Sequence, residues 1–264
     1  PNSIYVNFLS LLLRSSFGSF GAGQGVLYRT YDKLSFRVVG KRESTMQLVI
    51  GNKNYSSWSL RPWLLLRHFG VPFVEINIAL FTEGYQQELA QYSPTLRVPV
   101  LKDGDRTIWD SLAICEYVSE KYLQGSALPS NIQERALCRA YCSEMHSGFM
   151  AIRSEMPMNC RARKRLEVTA LAEAECRRVD QLFSDARAQF FGRGDYLFGE
   201  FSLADCMFAP IVMRFTTYGI ELSKFSQEYM RTMLQNTALS VWIGDAKNES
   251  QILADFELGE EIKS

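Results

Sequence analysis

Short strand patterns alternate with helix patterns over residues 46–122, and this order limits the fold more than any other feature of the chain. Residues 46–50 form a short apolar run before a glycine, which is typical of a buried strand. Residues 60–69 have the composition of a helix that stops at a glycine with a proline just beyond. Residues 73–78 alternate and are rich in β-formers, which predicts a second strand.

The second half of this region adds a hairpin and a helix. A short helical piece is expected near residues 85–92, and residues 98–101 follow as a third strand. An Asp-Gly pair at residues 103–104 is typical of a hairpin turn and leads into a fourth strand at residues 107–109. Residues 111–122 have the pattern of a helix with a serine at its N-cap. The predicted order is therefore β-α-β-α-β-β-α.

Pro62 limits where the first of these helices begins. A proline deep inside a helix removes a backbone hydrogen bond, so Pro62 is expected in the first turn. The predicted N-cap is then Trp58 or Ser59.

The rest of the chain predicts an all-helical domain. Residues 46–125 are expected to form the first domain, residues 126–131 a linker, and residues 132–264 the second domain. Long helical patterns cover residues 133–156 and 161–191, and no segment beyond the linker has the pattern of a strand.

One more helix is predicted to begin at Ser202. This serine has an acid, Asp205, three residues further on, which is related to the capping box. The apolar run that continues to Tyr218 predicts a helix that is buried on all sides.

Residues 1–45 differ in composition from the rest of the chain. They are rich in arginine and serine, and their acids are Asp32 and Glu43 alone. This composition fits an organelle-targeting leader, but we favour the alternative of an added or translated upstream segment that precedes Met46. Residues 1–45 are therefore expected to lie outside the fold.

Charge and cysteine content exclude several classes of function. Lysine plus arginine equals aspartate plus glutamate at 29 each, so the chain has no electrostatic footprint for nucleic acid or an anionic membrane. The six cysteines lack zinc-type spacing and predict no metal site, and we expect reduced, packed thiols in a cytoplasmic protein. No apolar run reaches the roughly 18 residues that a membrane span needs.

The first candidate site is the stretch Asn-Tyr-Ser-Ser-Trp-Ser-Leu-Arg at residues 54–61. The hydroxyl groups of Ser56, Ser57 and Ser59 cluster between a buried strand and a helix N-terminus. Backbone N–H groups and the helix dipole favour negative charge there, so the site could hold a thiolate. Plain helix caps are the alternative interpretation.

The second candidate site is Arg97-Val98-Pro99-Val100, with Asp110-Ser111 ten residues further on. A proline cannot donate to a strand ladder, and a cis Val98–Pro99 bond would explain its place here. The backbone of Val98 could then pair with an extended peptide ligand. Asp110 and Ser111 could hold the ammonium and the carboxylate of an α-amino acid. A turn proline and a second helix cap remain the alternative.

In this combination and order, the motifs resemble the glutathione S-transferase superfamily. Residues 56–61 look like the serine motif of the zeta class (maleylacetoacetate isomerase) and related bacterial transferases, and residues 97–100 resemble the family's cis-proline segment. Asp110-Ser111-Leu-Ala-Ile resembles its γ-glutamyl-binding motif, and residues 199–205 its helical-domain capping motif. The resemblance implies an N-terminal thioredoxin-like α/β domain followed by an all-α domain.

The resemblance also implies roles for single residues. Ser56, with Ser57 and Ser59 as alternatives, is expected to stabilise the thiolate of glutathione as co-substrate. Val98 would pair with the cysteinyl backbone, and Asp110 with Ser111 would hold the γ-glutamyl end. Glutathione is also expected to contact three further residues: Trp58, Arg97 and Pro99.

The expected function is conjugation of glutathione to a small electrophile, as in detoxification, or a glutathione-dependent isomerisation or peroxidase reaction. The alternative is a non-catalytic binding or regulatory protein with the same fold. Trp58 stands where the zeta class usually has cysteine, so the specific isomerase activity is an open question. His146 lies in a helix without an evident acid partner and is expected to pack against the cleft. The resemblance further implies a homodimer.

Overall fold

The computed structural model describes residues 46–262. The predicted N-terminal extension, residues 1–45, lies outside the described residues. In the described part, a mixed sheet with its helices comes first and a set of helices follows, so the predicted two-part fold class is confirmed.

Four short strands form the sheet, in the spatial order β2-β1-β3-β4. Strand β1 (Gln47–Ile50) pairs in parallel with β2 (Val74–Asn77) and antiparallel with β3 (Val100–Asp103). Strand β3 continues through the predicted hairpin turn into β4 (Arg106–Trp109). The central strands β1 and β3 are buried because helices cover the sheet, which explains their continuous apolar runs.

Three helices belong to this part: α1 (Ser57–His68), α2 (Tyr85–Ala90) and α3 (Ser111–Leu123). Helix α1 begins earlier than predicted, because Ser56 is its N-cap and the Leu60 N–H donates to the Ser56 carbonyl at 3.2 Å. Pro62 therefore lies in the second turn, and the carbonyl four residues before it receives no helical hydrogen bond.

The second part contains six further α-helices among the described residues, and a short 3-10 helix at Ala254–Phe256. The α-helices are α4 (Ile132–Ser147), α5 (Met150–Glu155), α6 (Ala170–Gln189), α7 (Leu203–Tyr218), α8 (Lys224–Gln235) and α9 (Thr237–Asn248). As predicted, α7 is buried on nearly all sides. It packs against α1, so the two parts share one core. All six cysteines are free and buried.

Two predicted helices have different bounds in the structure. The helix predicted over residues 133–156 is divided at Gly148 and Phe149, and Phe149 has a left-handed backbone with φ of 60°. A side chain at position 148 would meet the Glu144 carbonyl oxygen at 2.8 Å, so only glycine fits there. The helix predicted from residue 161 begins only at Ala170.

The prediction that no strand follows the linker is wrong. Strand β5 (Lys164–Arg165) pairs antiparallel with β6 (Glu260–Glu261). The Lys164 ammonium contacts the Glu257 carboxylate at 3.1 Å and the Glu261 carboxylate at 3.3 Å. This strand pair depends on charge across a long loop, so neither segment carries the apolar alternation that local patterns detect.

Within residues 46–262, none of the helices is both long enough and apolar enough to cross a membrane.

Candidate active site

The three candidate serines occupy different environments at the start of α1. Ser56 is half-buried, and its hydroxyl donates to the Ser59 hydroxyl at 2.7 Å and makes no cap bond with its own helix. Ser59 is fully buried, and its oxygen also accepts from the Gly51 N–H at 3.1 Å. Ser57 is buried, and its oxygen accepts from Arg214 at 3.4 Å. Ser59 therefore connects the Ser56 hydroxyl to the backbone of Gly51.

Ser56 and Ser57 line a cavity of about 470 Å³ between the two parts of the chain, which we call the main cavity. One wall of it is largely apolar and comes from the first part: Leu80, Phe81, Tyr85, Leu89 and Leu96. The facing wall comes from the second part: Arg153, Pro157, Arg214, Leu253 and Phe256. The main cavity can thus hold an apolar molecule beside a hydroxyl group and two arginines.

A second cavity of about 660 Å³, the side cavity, adjoins the main cavity. It is lined by Thr95, Arg97, Val98, Pro99, Trp109, Asp110, Ser111 and His146, together with Trp58. Trp58, Arg97 and Val98 line both cavities. The structure therefore brings the two sequence motifs to one continuous site, with Ser59 outside both linings.

Trp58 forms the partition between the two cavities. Two guanidinium groups lie close to its ring, with the Arg61 carbon 4.4 Å and the Arg153 carbon 4.8 Å from the ring centre. The edge of the ring meets His146 at a centroid distance of 5.4 Å. Cation–π contacts of this kind fix the orientation of the indole ring.

Hydrogen bonds from Ser93, in the preceding loop, fix the backbone at the cis-proline. The Val98–Pro99 bond is cis, as predicted. Ser93 donates to the Arg97 carbonyl at 2.8 Å and accepts from the Arg97 N–H at 3.1 Å, which fixes the backbone just before this bond. The exposed Arg97 side chain is free to lie over both cavities.

Asp110, and not the predicted serine, is the N-cap of α3. One of its carboxylate oxygens accepts from the Leu112 N–H at 2.8 Å and from the Ala113 N–H at 3.2 Å. Its backbone has a φ of 74°, an unusual value for a residue with a side chain. Ser111 is buried and accepts from Arg61 at 3.2 Å. The second carboxylate oxygen of Asp110 takes no part in the cap, and Asp110 lines the side cavity.

His146 has an acid partner, contrary to the prediction. Its Nε2 lies 3.1 Å from that second carboxylate oxygen of Asp110. Burial lowers the pKa of His146, the charges of Arg61 and Arg153 lower it further, and Asp110 opposes this shift. The residues are 36 positions apart by their numbers, so no local pattern connects them.

Three arginines bring positive charge to the site. Arg153 and Arg214 line the main cavity, and Arg61 lies beside the Trp58 ring. Burial, with a smaller effect from Arg153, lowers the pKa of both Arg61 and Arg214 to about 9. Among residues 46–262, no carboxylate lies within 4.0 Å of any of the three guanidinium groups. The sequence analysis missed Arg61 and Arg214, although an arginine inside the apolar run of α7 was a signal.

Tyr55 is a further residue of the site that the sequence analysis did not single out. It lines the main cavity, but its hydroxyl lies 2.6 Å from both the Glu257 carboxylate and the Arg161 guanidinium. The hydroxyl also accepts from the Leu253 N–H at 3.2 Å. Tyr55 therefore fastens the C-terminal segment beside the cavity, and its hydroxyl is not available to a ligand there.

Comparison with known proteins agrees with this architecture. Residues 55–121 match the family model of the glutathione S-transferase N-terminal domain. The chain is 30% identical over 184 residues to glutathione S-transferase 1 of Dianthus caryophyllus, covering 68% of this chain and 82% of that protein. It is 34% identical over 101 residues to the maleylacetoacetate isomerase of Rattus norvegicus, covering 37% of this chain and 46% of that protein.

A solved structure has a similar fold. It is a Burkholderia glutathione transferase homologue with bound glutathione, which matches with a TM-score of 0.59 and 23% identity, covering 78% of this chain and 100% of that one. At this identity the likeness supports the fold alone. The family model and the sequence relatives lead to one conclusion: the chain belongs to the glutathione S-transferase superfamily and has a resemblance to the zeta class.

Proposed function

We propose that this protein binds glutathione in the side cavity and activates its thiol at Ser56 for attack on an electrophile in the main cavity. One observation carries the proposal. The Ser56 hydroxyl lines the main cavity at a helix N-terminus and makes no cap bond, and the side cavity with Asp110 and Ser111 adjoins it.

The side cavity offers complementary groups for each end of glutathione. The second carboxylate oxygen of Asp110 would accept the γ-glutamyl ammonium group, and the hydroxyl and backbone N–H of Ser111 would hold the neighbouring carboxylate. The backbone of Val98 would pair with the cysteinyl residue, and Arg97 would reach the glycyl carboxylate. This orientation directs the sulfur past Trp58 towards Ser56.

Ser56 would stabilise the thiolate by donating its hydroxyl hydrogen to sulfur. The contact with Ser59 permits this, because a hydroxyl pair can reverse its direction so that Ser59 donates to Ser56. The dipole of α1 and the positive charges of the three arginines favour the same negative charge on sulfur. A thiol with an ordinary pKa near ~8.5 would then be largely ionised at neutral pH. The thiolate carries out the attack, and the serine itself forms no covalent bond.

Ser57 is the alternative donor. Its oxygen accepts from Arg214, which leaves its own hydrogen free for a ligand, and it lines the same cavity. Single substitutions separate the two serines, because only the true donor sets the pKa of the bound thiol.

The proposal is tested by calorimetric titration of glutathione and by the ultraviolet absorbance of the bound thiolate against pH. The parent protein should bind glutathione with a thiol pKa well below its value in water. Ser56→Ala should still bind, but with the thiol pKa returned towards that value, and Ser57→Ala serves as the matched variant. A parent protein that binds no glutathione would support the non-catalytic alternative.

We also propose a homodimer, a cytoplasmic location and a role in detoxification, on the basis of family membership. Sedimentation equilibrium tests the first, because a monomeric mass at micromolar concentration contradicts it. Isomerase and peroxidase activities use the same thiolate, and assays with an enedione and with a hydroperoxide distinguish them from conjugation.

A further inference from the structure

The turn that leads into Ser56 is formed by residues 52–55. It joins β1 to α1, and all four of its residues are buried. The Asn52 carbonyl accepts from the Tyr55 N–H at 3.2 Å and from the Ser56 N–H at 2.8 Å. The conformation of this turn therefore fixes the backbone from which the Ser56 hydroxyl projects.

Two further N–H groups of the turn donate to one distant side chain, the carboxylate of Glu249. The Lys53 N–H donates to one oxygen of this carboxylate at 2.6 Å, and the Asn54 N–H donates to the other oxygen at 2.9 Å. A charged acceptor makes such hydrogen bonds short and strong, and a pair of bonds to one carboxylate also fixes direction. Glu249 thus holds the backbone just before Ser56.

The place of Glu249 in its own helix does not explain an acid there. It is the C-cap of α9, and the negative end of a helix dipole disfavours a carboxylate. Asp245, one turn earlier in α9, contacts the Lys53 ammonium at 2.7 Å. Both acids at this end of α9 therefore bind Lys53, one at its backbone and one at its side chain.

The chain around Glu249 is itself held in place. Arg161 donates to the Glu249 carbonyl at 2.7 Å and to the Gln251 carbonyl at 3.0 Å. The Gln251 side chain accepts from the Asn52 amide at 2.5 Å and donates to the Leu80 carbonyl at 2.9 Å. These contacts fix the Glu249 carboxylate relative to the turn.

We propose that Glu249 is a positioning residue for thiol activation, which holds the turn so that the Ser56 hydroxyl is aimed at the sulfur of bound glutathione. This inference depends on the proposed function, in which Ser56 is the donor to the thiolate. Hydrogen bonds weaken steeply as the donor angle departs from a straight line, so a small shift of the turn would weaken the bond to sulfur. Glu249 lines neither cavity and would act through Ser56 alone.

Charge and geometry predict opposite effects for the loss of this carboxylate. By charge alone, a carboxylate near the site disfavours a thiolate, so neutralising it would lower the pKa of the bound thiol. By geometry, its loss would release the turn, misalign the donor to sulfur and raise that pKa. The direction of the shift therefore separates positioning from a charge effect.

Glu249→Gln is the first test, because it removes the charge at nearly constant shape. The amide oxygen of glutamine can accept from one N–H group, but its NH2 group cannot accept from the other. The pKa of bound glutathione, measured by thiolate absorbance, should rise by about half a unit to one unit, so the thiolate fraction at a lower pH falls about three- to tenfold. The affinity for S-methylglutathione, which has no ionisable thiol, should equal that of the parent because the side cavity is unchanged.

Two further variants accompany this test. Asp255→Asn is the matched control, since Asp255 is an exposed acid of the same C-terminal segment, and it should keep the parental thiol pKa. Glu249→Asp keeps the charge but is one methylene shorter, so it cannot reach both N–H groups and should also raise the thiol pKa. It tests the same two bonds if Glu249→Gln does not fold, and urea unfolding checks the fold of each variant.

The sharpest comparison combines Glu249→Gln with Ser56→Ala. Without the Ser56 hydroxyl, Glu249 has no donor to position, so the double variant should have the thiol pKa of Ser56→Ala alone. An equal shift in both backgrounds, a lowered pKa, or a loss of stability with an unchanged pKa would each overturn the inference. A parent protein that binds no glutathione, or a parental thiol pKa in Ser56→Ala, would instead contradict the proposed function.

Discussion

Helices α1 and α7 both begin after a serine, but the two serine hydroxyls differ in their hydrogen bonds and their burial. Ser202 is buried, and its backbone N–H and hydroxyl both donate to the Asp205 carboxylate, at 2.8 Å and 2.9 Å. Ser56 is half-buried, and its hydroxyl accepts no hydrogen bond from the backbone N–H groups of the first turn of its helix. The same residue type at the same position thus closes one helix and leaves the other open to a ligand.

The difference lies in what surrounds each helix start. An acid three residues after Ser202 completes the cap, and Asp205 further accepts from the Leu197 N–H at 3.1 Å. The corresponding position after Ser56 is Ser59, whose oxygen accepts from the Gly51 N–H at the end of strand β1. We infer that the start of α7 stabilises the fold and the start of α1 serves the chemistry. Three predictions test this contrast, and a fourth concerns His146 in the side cavity.

The largest effect is expected for Asp205→Ala. The substitution leaves the N–H groups of Leu197 and Ser202 buried without an acceptor, each at a cost of about 1–3 kcal/mol, so the free energy of unfolding should fall by about 3–5 kcal/mol. Urea unfolding measures it. Asp195→Ala, at an exposed bend, is the control and should leave stability nearly unchanged. A similar small loss for both variants would contradict the structural role of the α7 start.

Ser56→Ala is expected to affect chemistry and hardly affect stability. The pKa of bound glutathione should rise by about one unit or more, equivalent to about 1.4 kcal/mol per unit, and conjugation near neutral pH should slow about tenfold. The free energy of unfolding should fall by only about 0.5 kcal/mol, because no cap bond is lost and water at the half-buried position can replace the bond to Ser59. If Ser57→Ala shifts the thiol and Ser56→Ala does not, the assignment of the donor is reversed.

Ser202→Ala is the reciprocal variant, with a smaller effect. Removal of its hydroxyl bond to Asp205 should lower the free energy of unfolding by about 1 kcal/mol. The pKa of bound glutathione should equal that of the parent. The free energy of unfolding and the pKa of the bound thiol should be measured on both serine variants, because each variant is expected to change mainly one of them. A shifted thiol pKa in Ser202→Ala would contradict this separation.

The smallest effect is expected for His146→Gln, in the pH dependence of stability. The folded-state pKa of His146 is lowered from 6.5, so the unfolded chain binds a proton that the folded chain does not as the pH falls below 6.5. Stability is therefore lost on acidification, with a slope of at most about 1.4 kcal/mol per pH unit.

His146→Gln should make that slope shallower. The contribution of His68 stays in both proteins, because burial lowers its pKa in the same direction. Urea unfolding on both sides of pH 6.5 measures the slope for the parent and the variant. A steeper slope in His146→Gln would mean that the proton on His146 stabilises the folded protein through Asp110.

Much of the fold followed from local patterns. The order of the strands and helices in the first part, the hairpin turn and the buried α7 are set by runs of neighbouring residues, and their predictions are confirmed. The cis bond at Pro99 was expected because a proline at the start of an inner strand cannot donate to the ladder. Errors appeared where a distant segment decides the outcome: the β5–β6 pair rests on charges 93 or more residues apart.

The sequence by itself determined which residue types stand at the starts of α1, α3 and α7, because caps and turns depend on a few adjacent residues. Only the tertiary structure decided what each of them faces. It joined Asp110 to His146 and set Arg214 against Ser57 across 157 positions. It also placed Arg153 and Arg214 together in the wall of the main cavity. Such contacts arise when segments that are distant in the sequence pack together, and packing of this kind leaves no periodic signal in the chain.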